Sequence, residues 1–471
     1  MSLKRNELIL WLIGAFAITF LFHFLPILSS PFAPGWDSYF YLVQAKSFIQ
    51  EGHMHSSRLS LFYSLLIGLS YITSDYVLSY KLLLAFGASS IPTLLCFFGI
   101  KNGTHRFWLV VIIVWCCLSP HYHYFCTQFC KNTLGVSFML GTLFSLFNKK
   151  WGYAALFTAL SIFTHKLTGI ISIVAFSVAL ITIIKSKKRV VLLTTLLLSG
   201  IGIPFLFPQI LSFDDLLRQT DALQWTPSWQ PYAFSIEFDS RISTFWHIEI
   251  WSTAIMSLIL PLVLFRMRPR KEALIYMVIS LICLFPFLVW NKDGFAFRLL
   301  ILLPILVLSM LILIRDLKII TFVLALIFIG NSCLGYFKYE PEHYDPNFPE
   351  YAFVTRKVSK LLPIDFDGLI VTHRGLAEFI TFHLKIDAMP WRADYDIPDK
   401  HYLRLAYIPK SRMINLPDSV VREVSMNYYL LPESAWQAIL KDVGQSRFDD
   451  LTTWKNPQTI RPPFFKKYKV K

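Results

Sequence analysis

The hydrophobic runs of this 471-residue chain are long enough to cross a bilayer, and the gaps between them alternate in charge. Lys4-Arg5, Lys101/Arg106, Lys149-Lys150, Lys185/Lys187/Lys188/Arg189, Arg266/Arg268/Arg270/Lys271 and Arg315/Lys318 occupy one set of gaps. Asp37, Glu51, His121, His123, His165, Asp214, Asp215, Asp221, Glu237, Asp239, Asp293 and Arg298 lie in the other. Short cytoplasmic loops retain excess Lys and Arg, so the first set is expected to face the cytoplasm and the second the far side. Candidate chemistry therefore gathers on one face of a membrane.

A chain that is 55% hydrophobic and only 16% charged, with a mean hydropathy of +0.51, is too apolar for a soluble protein of this size. The net charge of +15 does not call for nucleic acid, because the excess sits in the basic gaps and in the tail 466–471. Topology explains most of it and an anionic lipid surface the rest. The seven cysteines all lie in or beside hydrophobic runs, which argues against a disulfide framework.

The expected fold is a polytopic α-helical membrane protein with about 11 transmembrane helices, over 8–28, 76–99, 107–126, 132–148, 151–164, 167–184, 190–210, 246–265, 273–290, 298–314 and 319–337. The first run is longer than a signal-peptide core and lacks a small-x-small cleavage site, so it reads as an uncleaved span. The N-terminus is expected inside and the C-terminus outside. Leu59–Thr73 is too short to cross, and a crossing there would invert every later charge cluster; it reads as lying in or dipping into the outer leaflet. The stretch 151–184 is too long for one helix and is broken by Thr164-His165-Lys166, which suggests a hairpin with those residues at its outer tip.

Residues 1–337 are read as the transmembrane domain, with 29–75 as a first external loop carrying surface helices and 211–245 as a long external loop rich in Trp and Asp. Within the first loop, 36–52 is amphipathic at helical spacing, with Gly52 as its stop, and is expected to lie along the membrane with Asp37, Tyr41, Gln44, Ser47 and Glu51 toward water or a cavity. Residues 338–471 turn polar and Pro-punctuated, and read as a small extracytoplasmic α/β domain. A strand over 368–372 precedes a helix over 375–384, and 428–431 followed by 433–440 repeats that order.

Asp37 opens the first external loop, where a carboxylate suits either an N-cap or, partly desolvated, a proton acceptor; the two readings are compatible. His121 and His123 form an H-x-H pair that can ligate a metal; no second cluster at metal-site spacing accompanies it, which favours interfacial packing and hydrogen bonding over a ligand role. Lys131 is suited to meet a phosphate. His165 and Lys166 interrupt an apolar stretch, where ionisable groups are costly and by default functional. Arg298 and Arg241 offer paired N–H donors for a phosphate, or snorkel to lipid headgroups. Walker, GxGxxG, HExxH and GxSxG motifs are absent, so soluble nucleotide chemistry is not indicated.

This layout resembles the GT-C superfamily of membrane glycosyltransferases, which use lipid-phosphate-linked sugars. The likeness is carried by Pro34-Gly35-Trp36-Asp37-Ser38-Tyr39-Phe40-Tyr41, Leu61-Phe62-Tyr63-Ser64-Leu65-Leu66, Leu118-Ser119-Pro120, Phe163-Thr164-His165-Lys166 and Phe297-Arg298 before Leu303-Pro304. The resemblance implies an inverting transfer from a polyprenyl-phosphate sugar donor to a glycan, lipid or protein acceptor on the outer face. It implies Asp37 as general base, Arg298, Lys166 and Lys131 around the donor phosphate, and Tyr41, His121, His123, His165 and Arg241 in the cavity or on the acceptor. The chain departs from the pattern at Ser38, where a second acid is expected, and at His121 and His123, where many relatives carry an acid, so no metal ligand set is carried over. A secondary transporter or lipid flippase is the alternative, but the charges cluster at helix ends rather than at the midplane and no internal repeat is visible. The sequon Asn102-Gly103-Thr104 falls on the expected cytoplasmic side, which fits a bacterial inner membrane with the active site facing the periplasm.

Overall fold

The computed structural model describes residues 5–35, 37–56, 59–183, 243–267, 270–287, 295–314, 319–338, 348–363, 365–384, 386–390, 402–407, 422–425, 428–432 and 434–435. These fall into two compact units, one formed by 1–35 with 56–342 and the other by 36–55 with 343–471.

The first unit is helical. Its described helices are α1 (Arg5–Leu28), α3 (Leu61–Thr73), α4 (Tyr76–Lys101), α5 (Arg106–Leu118), α6 (Pro120–Gln128), α7 (Cys130–Phe147), α8 (Trp151–Thr164), α9 (Lys166–Ile183), α10 (Ser243–Met267), α11 (Arg270–Cys283), α12 (Phe295–Leu311) and α13 (Ile319–Lys338). Among the described residues, Asn6–Leu28, Tyr76–Lys101 and His247–Met267 are each long and apolar enough to cross a membrane, and α5 with α6 qualifies as a bent pair. The span expected at 190–210 and the loop at 211–242 lie outside the described residues.

Two local features depart from or refine the sequence reading. The single span expected at 107–126 is bent by 60° at Ser119. Pro120 has no N–H to continue the α5 ladder, so the chain turns and restarts, with Pro120 at the first position of α6 and the Ser119 hydroxyl accepting the Tyr122 N–H. The break in 151–184 is a hairpin. Only His165 separates α8 from α9, Trp151 meets Phe176 edge-on at 5.9 Å, and a Cβ on Gly169 would stand 2.7 Å from the Ile162 Cα. Only glycine lets the two helices close so near their junction.

Leu61–Thr73, at 13 residues, is a short helix whose entry is capped by Ser60. It is roughly 20 Å long, less than the hydrocarbon thickness. Segments flanking the basic gaps meet one another: Arg106 lies 3.6 Å from Glu7, Thr104 donates to the Ile312 carbonyl, and Lys271 donates to the Leu146 carbonyl at 3.3 Å.

The second unit contains α2 (Ser38–Glu51), α14 (Phe348–Leu361), α15 (Arg374–Leu384) and a mixed five-stranded sheet. Its strands are β1 (Leu369–Thr372), β2 (Ala388–Pro390), β3 (Tyr402–Tyr407), β4 (Arg422–Ser425) and β5 (Tyr428–Pro432), ordered β2-β1-β3-β5-β4. β1 is parallel to both neighbours, with Ile370 opposite Ala388 and Leu403, and α15 connects β1 to β2. Strands in the middle of such a sheet read as unbroken apolar runs, and all four residues of β1 are buried. β3, β5 and β4 pair antiparallel. The helix expected over 433–440 lies almost wholly outside the described residues.

Of the polar side of α2 expected toward water or a cavity, Glu51 is exposed while Gln44 and Ser47 are enclosed. Gln44 is 0% exposed and Ser47 is buried, whereas Phe48 remains 39% exposed. Tyr39 on this helix reaches Phe348, Phe379 and Phe382 with ring centroids 4.9, 4.5 and 5.5 Å away. As expected, Gly52 ends the helix, with φ +77 and its N–H on the Phe48 carbonyl.

Candidate functional site

Four helix starts meet in the first unit, and each brings a side chain of the candidate set or a partner for one. Ser60, the cap of α3, donates to the Thr164 carbonyl at 2.9 Å, which ties the start of α3 to the α8–α9 break. Lys131, in the first turn of α7, lies over the Tyr63 ring at 5.0 Å. Arg298, in the first turn of α12, lies over the Phe129 ring at 5.6 Å, and Phe129 immediately precedes α7. A Cβ on Gly135, one turn beyond Lys131, would stand 3.0 Å from the His165 Cβ and 2.4 Å from the Thr168 hydroxyl, so α7 and α9 close up at a glycine.

Lys131, Lys166 and Arg298 are thereby gathered around His165, all three half-buried. His165 sits at the hairpin tip between its two helices, with its Nδ1 enclosed and without a hydrogen-bond partner. Burial first, and then the charges of Arg298, Lys131 and Lys166, hold its imidazole well below the usual histidine range, so the ring is neutral. Helix N-termini carry partial positive charge and free N–H groups. Three cations and converging helix starts make this a place where an anion such as a phosphate is favoured.

His121 and His123 occupy the bend between α5 and α6. Both are buried, and their Nε2 atoms lie 3.1 Å from the Ile301 carbonyl and 2.7 Å from the Cys117 carbonyl. The His123 ring also lies 4.3 Å from that of His23. The bend rests on a residue that the sequence reading passed over. The buried Glu249 carboxylate on α10 accepts the Trp115 indole N–H at 2.8 Å and the Ser119 hydroxyl at 3.2 Å, and lies 3.9 Å from His121 Nδ1. An acid within a run as apolar as 246–265 was the signal that could have found it. Lys81 was missed in the same way; it is buried on α4 and donates to the Ser30 carbonyl.

Asp37 and Tyr41 belong to the second unit. Asp37 stands at the cap position of α2, and its carbonyl accepts the Tyr41 N–H at 3.1 Å. Its side chain makes no cap hydrogen bond, so the capping reading is not realised. Tyr41 is buried, 5.9 Å edge-on from Phe40. Arg241 and Asp293 lie outside the described residues.

Among the described residues no group of three or more His, Cys, Asp or Glu side chains is arranged to hold a metal. Ser38 is buried beside Asp37 where a second carboxylate would be needed.

The chain is similar in fold to a solved archaeal membrane enzyme, at an identity that shows the fold alone. The particular likeness is to the oligosaccharyltransferase of Archaeoglobus fulgidus: its crystal structure tethered with an acceptor peptide containing the NVT sequon matches at 11% identity, with a TM-score of 0.52, over 82% of this chain. This chain spans 64% of the length of that structure. The same enzyme in complex with Zn and sulfate matches at 10% identity and a TM-score of 0.47, over 80% of this chain and 62% of its own. No protein-family model and no curated protein sequence matches the chain.

Proposed function

We propose that the protein is an inverting glycosyltransferase that moves a sugar from a polyprenyl-phosphate-linked donor to a glycan, lipid or protein acceptor. The observation that carries this reading is the gathering of Lys131, Lys166 and Arg298 beside His165 at converging helix starts. Cleavage of a sugar–phosphate bond leaves a lipid phosphate whose charge grows as the bond breaks, and fixed cations stabilise that charge more in the transition state than in the ground state. Arg298 is proposed as the paired N–H donor, with Lys166 and Lys131 as point charges. The shared fold supports the same class of chemistry, since the A. fulgidus enzyme is an oligosaccharyltransferase.

In the proposed reaction Asp37 takes the proton from the acceptor hydroxyl, the acceptor oxygen bonds to the anomeric carbon, and the bond to the donor phosphate breaks. The lipid phosphate leaves with the electron pair. Tyr41 and Arg241 are kept as acceptor or cavity residues, while the enclosed His121 and His123 are assigned to the α5–α6 bend. About eleven spans, a bacterial inner membrane and a periplasmic site belong to the same proposal, on the alternating charges of the gaps.

The test is mass spectrometry of cell-envelope glycans from cells carrying the wild-type gene, no gene, Asp37→Asn or Arg298→Ala. One glycan species is expected to lose a sugar in the deletion and in Asp37→Asn, and to fall in Arg298→Ala. Identical glycans with and without the gene, or full activity of Asp37→Asn, overturn the assignment.

A further inference from the structure

The helix that follows Asp37 is fastened at two points, two turns apart, to one helix of the second unit. Tyr39 is buried with its ring 4.5 Å from Phe379, 5.5 Å from Phe382 and 5.7 Å from His383, all on α15. Seven residues on, and so on the same helix face, the Lys46 ammonium donates to the Phe382 carbonyl and lies 5.0 Å from the Phe382 ring. Phe382 is in the last turn of α15, where carbonyls lack a partner within the helix and a lysine is favoured by the helix dipole as well. α15 is itself fixed to the sheet, since the Thr381 hydroxyl accepts the Ala388 N–H at 3.1 Å. At the other end of α2, the Ser47 hydroxyl reaches Glu51 at 2.8 Å and the His53 carbonyl at 3.0 Å, which closes the exit turn.

The backbone of Asp37 is tied into this arrangement. It directly precedes Ser38, and its carbonyl is bonded into the first turn of α2. We infer that α15 and the sheet behind it set the position of Asp37, with Tyr39 and Lys46 as positioning residues. The inference rests on the reading of Asp37 as the base. It gives the C-terminal unit a part in the transfer step, because the sheet fixes α15, α15 fixes α2, and α2 carries the carboxylate. Tyr39 prevents α2 from lifting, and Lys46 prevents it from swinging about Tyr39. A displacement of about 1 Å at a reacting group lowers turnover by about 100-fold, so the fastening acts on kcat rather than on donor binding.

The experiment uses the full chain in lipid nanodiscs. Lys46→Met and Tyr39→Ala are compared with the conservative Lys46→Arg and Tyr39→Phe, and with Asp37→Asn, by hydrogen exchange and by transfer kinetics. Peptides covering 38–51 are expected to exchange about 10- to 100-fold faster in Lys46→Met and Tyr39→Ala, as the loss of a charge-assisted or aromatic contact implies, while 428–432 keeps its protection as the folding control. In the same two variants kcat is expected to fall by up to about 100-fold at unchanged donor KM, and the conservative pair to behave as wild type. Wild-type exchange and turnover in Lys46→Met and Tyr39→Ala, beside an inactive Asp37→Asn, overturn the positioning role alone. Full activity of Asp37→Asn overturns the base assignment and this inference with it.

Discussion

The Trp115 indole N–H points at the Glu249 carboxylate across 2.8 Å, joining α5 to α10 inside the helical unit. Ser119 bonds to the same carboxylate at the point where the chain bends, so one acid holds both arms of the bend. Glu249→Gln keeps an acceptor for Trp115 and is expected to retain most stability. Glu249→Leu leaves a buried indole N–H and a hydroxyl without their partner, at a cost of about 1–3 kcal/mol each. Thermal unfolding in detergent checks this, with Glu249→Leu melting well below Glu249→Gln.

Gly35 tolerates no side chain. Its φ is +100, and a Cβ there would stand 2.2 Å from the Thr127 carbonyl oxygen. Gly35→Ala therefore meets backbone strain of about 1–3 kcal/mol together with a collision against backbone that cannot rotate away. A lowered melting temperature is expected, and a Gly35→Ala protein as stable as wild type contradicts the geometry.

The cations around His165 are expected to differ in kind. If Arg298 holds the donor phosphate as proposed, Arg298→Ala should weaken donor use by about 10- to 100-fold, with Arg298→Lys restoring only part. Lys131→Ala and Lys166→Ala should each weaken it less, because a lysine acts as a point charge. Donor KM, measured with each variant at low and high salt, separates these cases.

The second unit should lose stability in mild acid. Burial lowers the His373 imidazole from 6.5 to about 3, so the folded chain keeps it neutral while the unfolded chain protonates it. The contribution is complete above pH 6.5 and is lost progressively as pH falls toward 3. Hydrogen exchange of 369–372 between pH 7 and pH 4, corrected for the intrinsic rate, should show declining protection, and His373→Asn should flatten that decline.

Much of the helical unit is legible in the sequence because a long apolar run has few alternatives. Trp151–Thr164 forms over the expected residues, and the His165 break is a hairpin for the reason that suggested it, a polar triplet inside an apolar stretch. The bend at Ser119 was missed because hydropathy averages across a proline. β1 and α15 were visible from a short apolar strand followed by a helical period, whereas the pairing of Ile370 with Ala388 and Leu403 depends on contacts between distant segments. Of the candidate site, Lys131, Lys166 and Arg298 stood out as charges at the ends of apolar runs. Glu249 and Lys81 did not, since their partners lie on other helices. The amphipathic period of α2 was legible, but the packing of Tyr39 against the rings of α14 and α15 joins distant segments, which no local pattern encodes.

Because the second unit joins 36–55 to residues beyond 343, its parts leave the ribosome far apart in time. Roughly 300 residues separate α2 from α14, and at about 5–20 residues per second the first waits some 15–60 s for its partners. Throughout that interval Tyr39 lacks the rings that will enclose it. Packing of the segment after Asp37 thus waits for late synthesis, and a chain that stops early leaves Tyr39 without its enclosing rings.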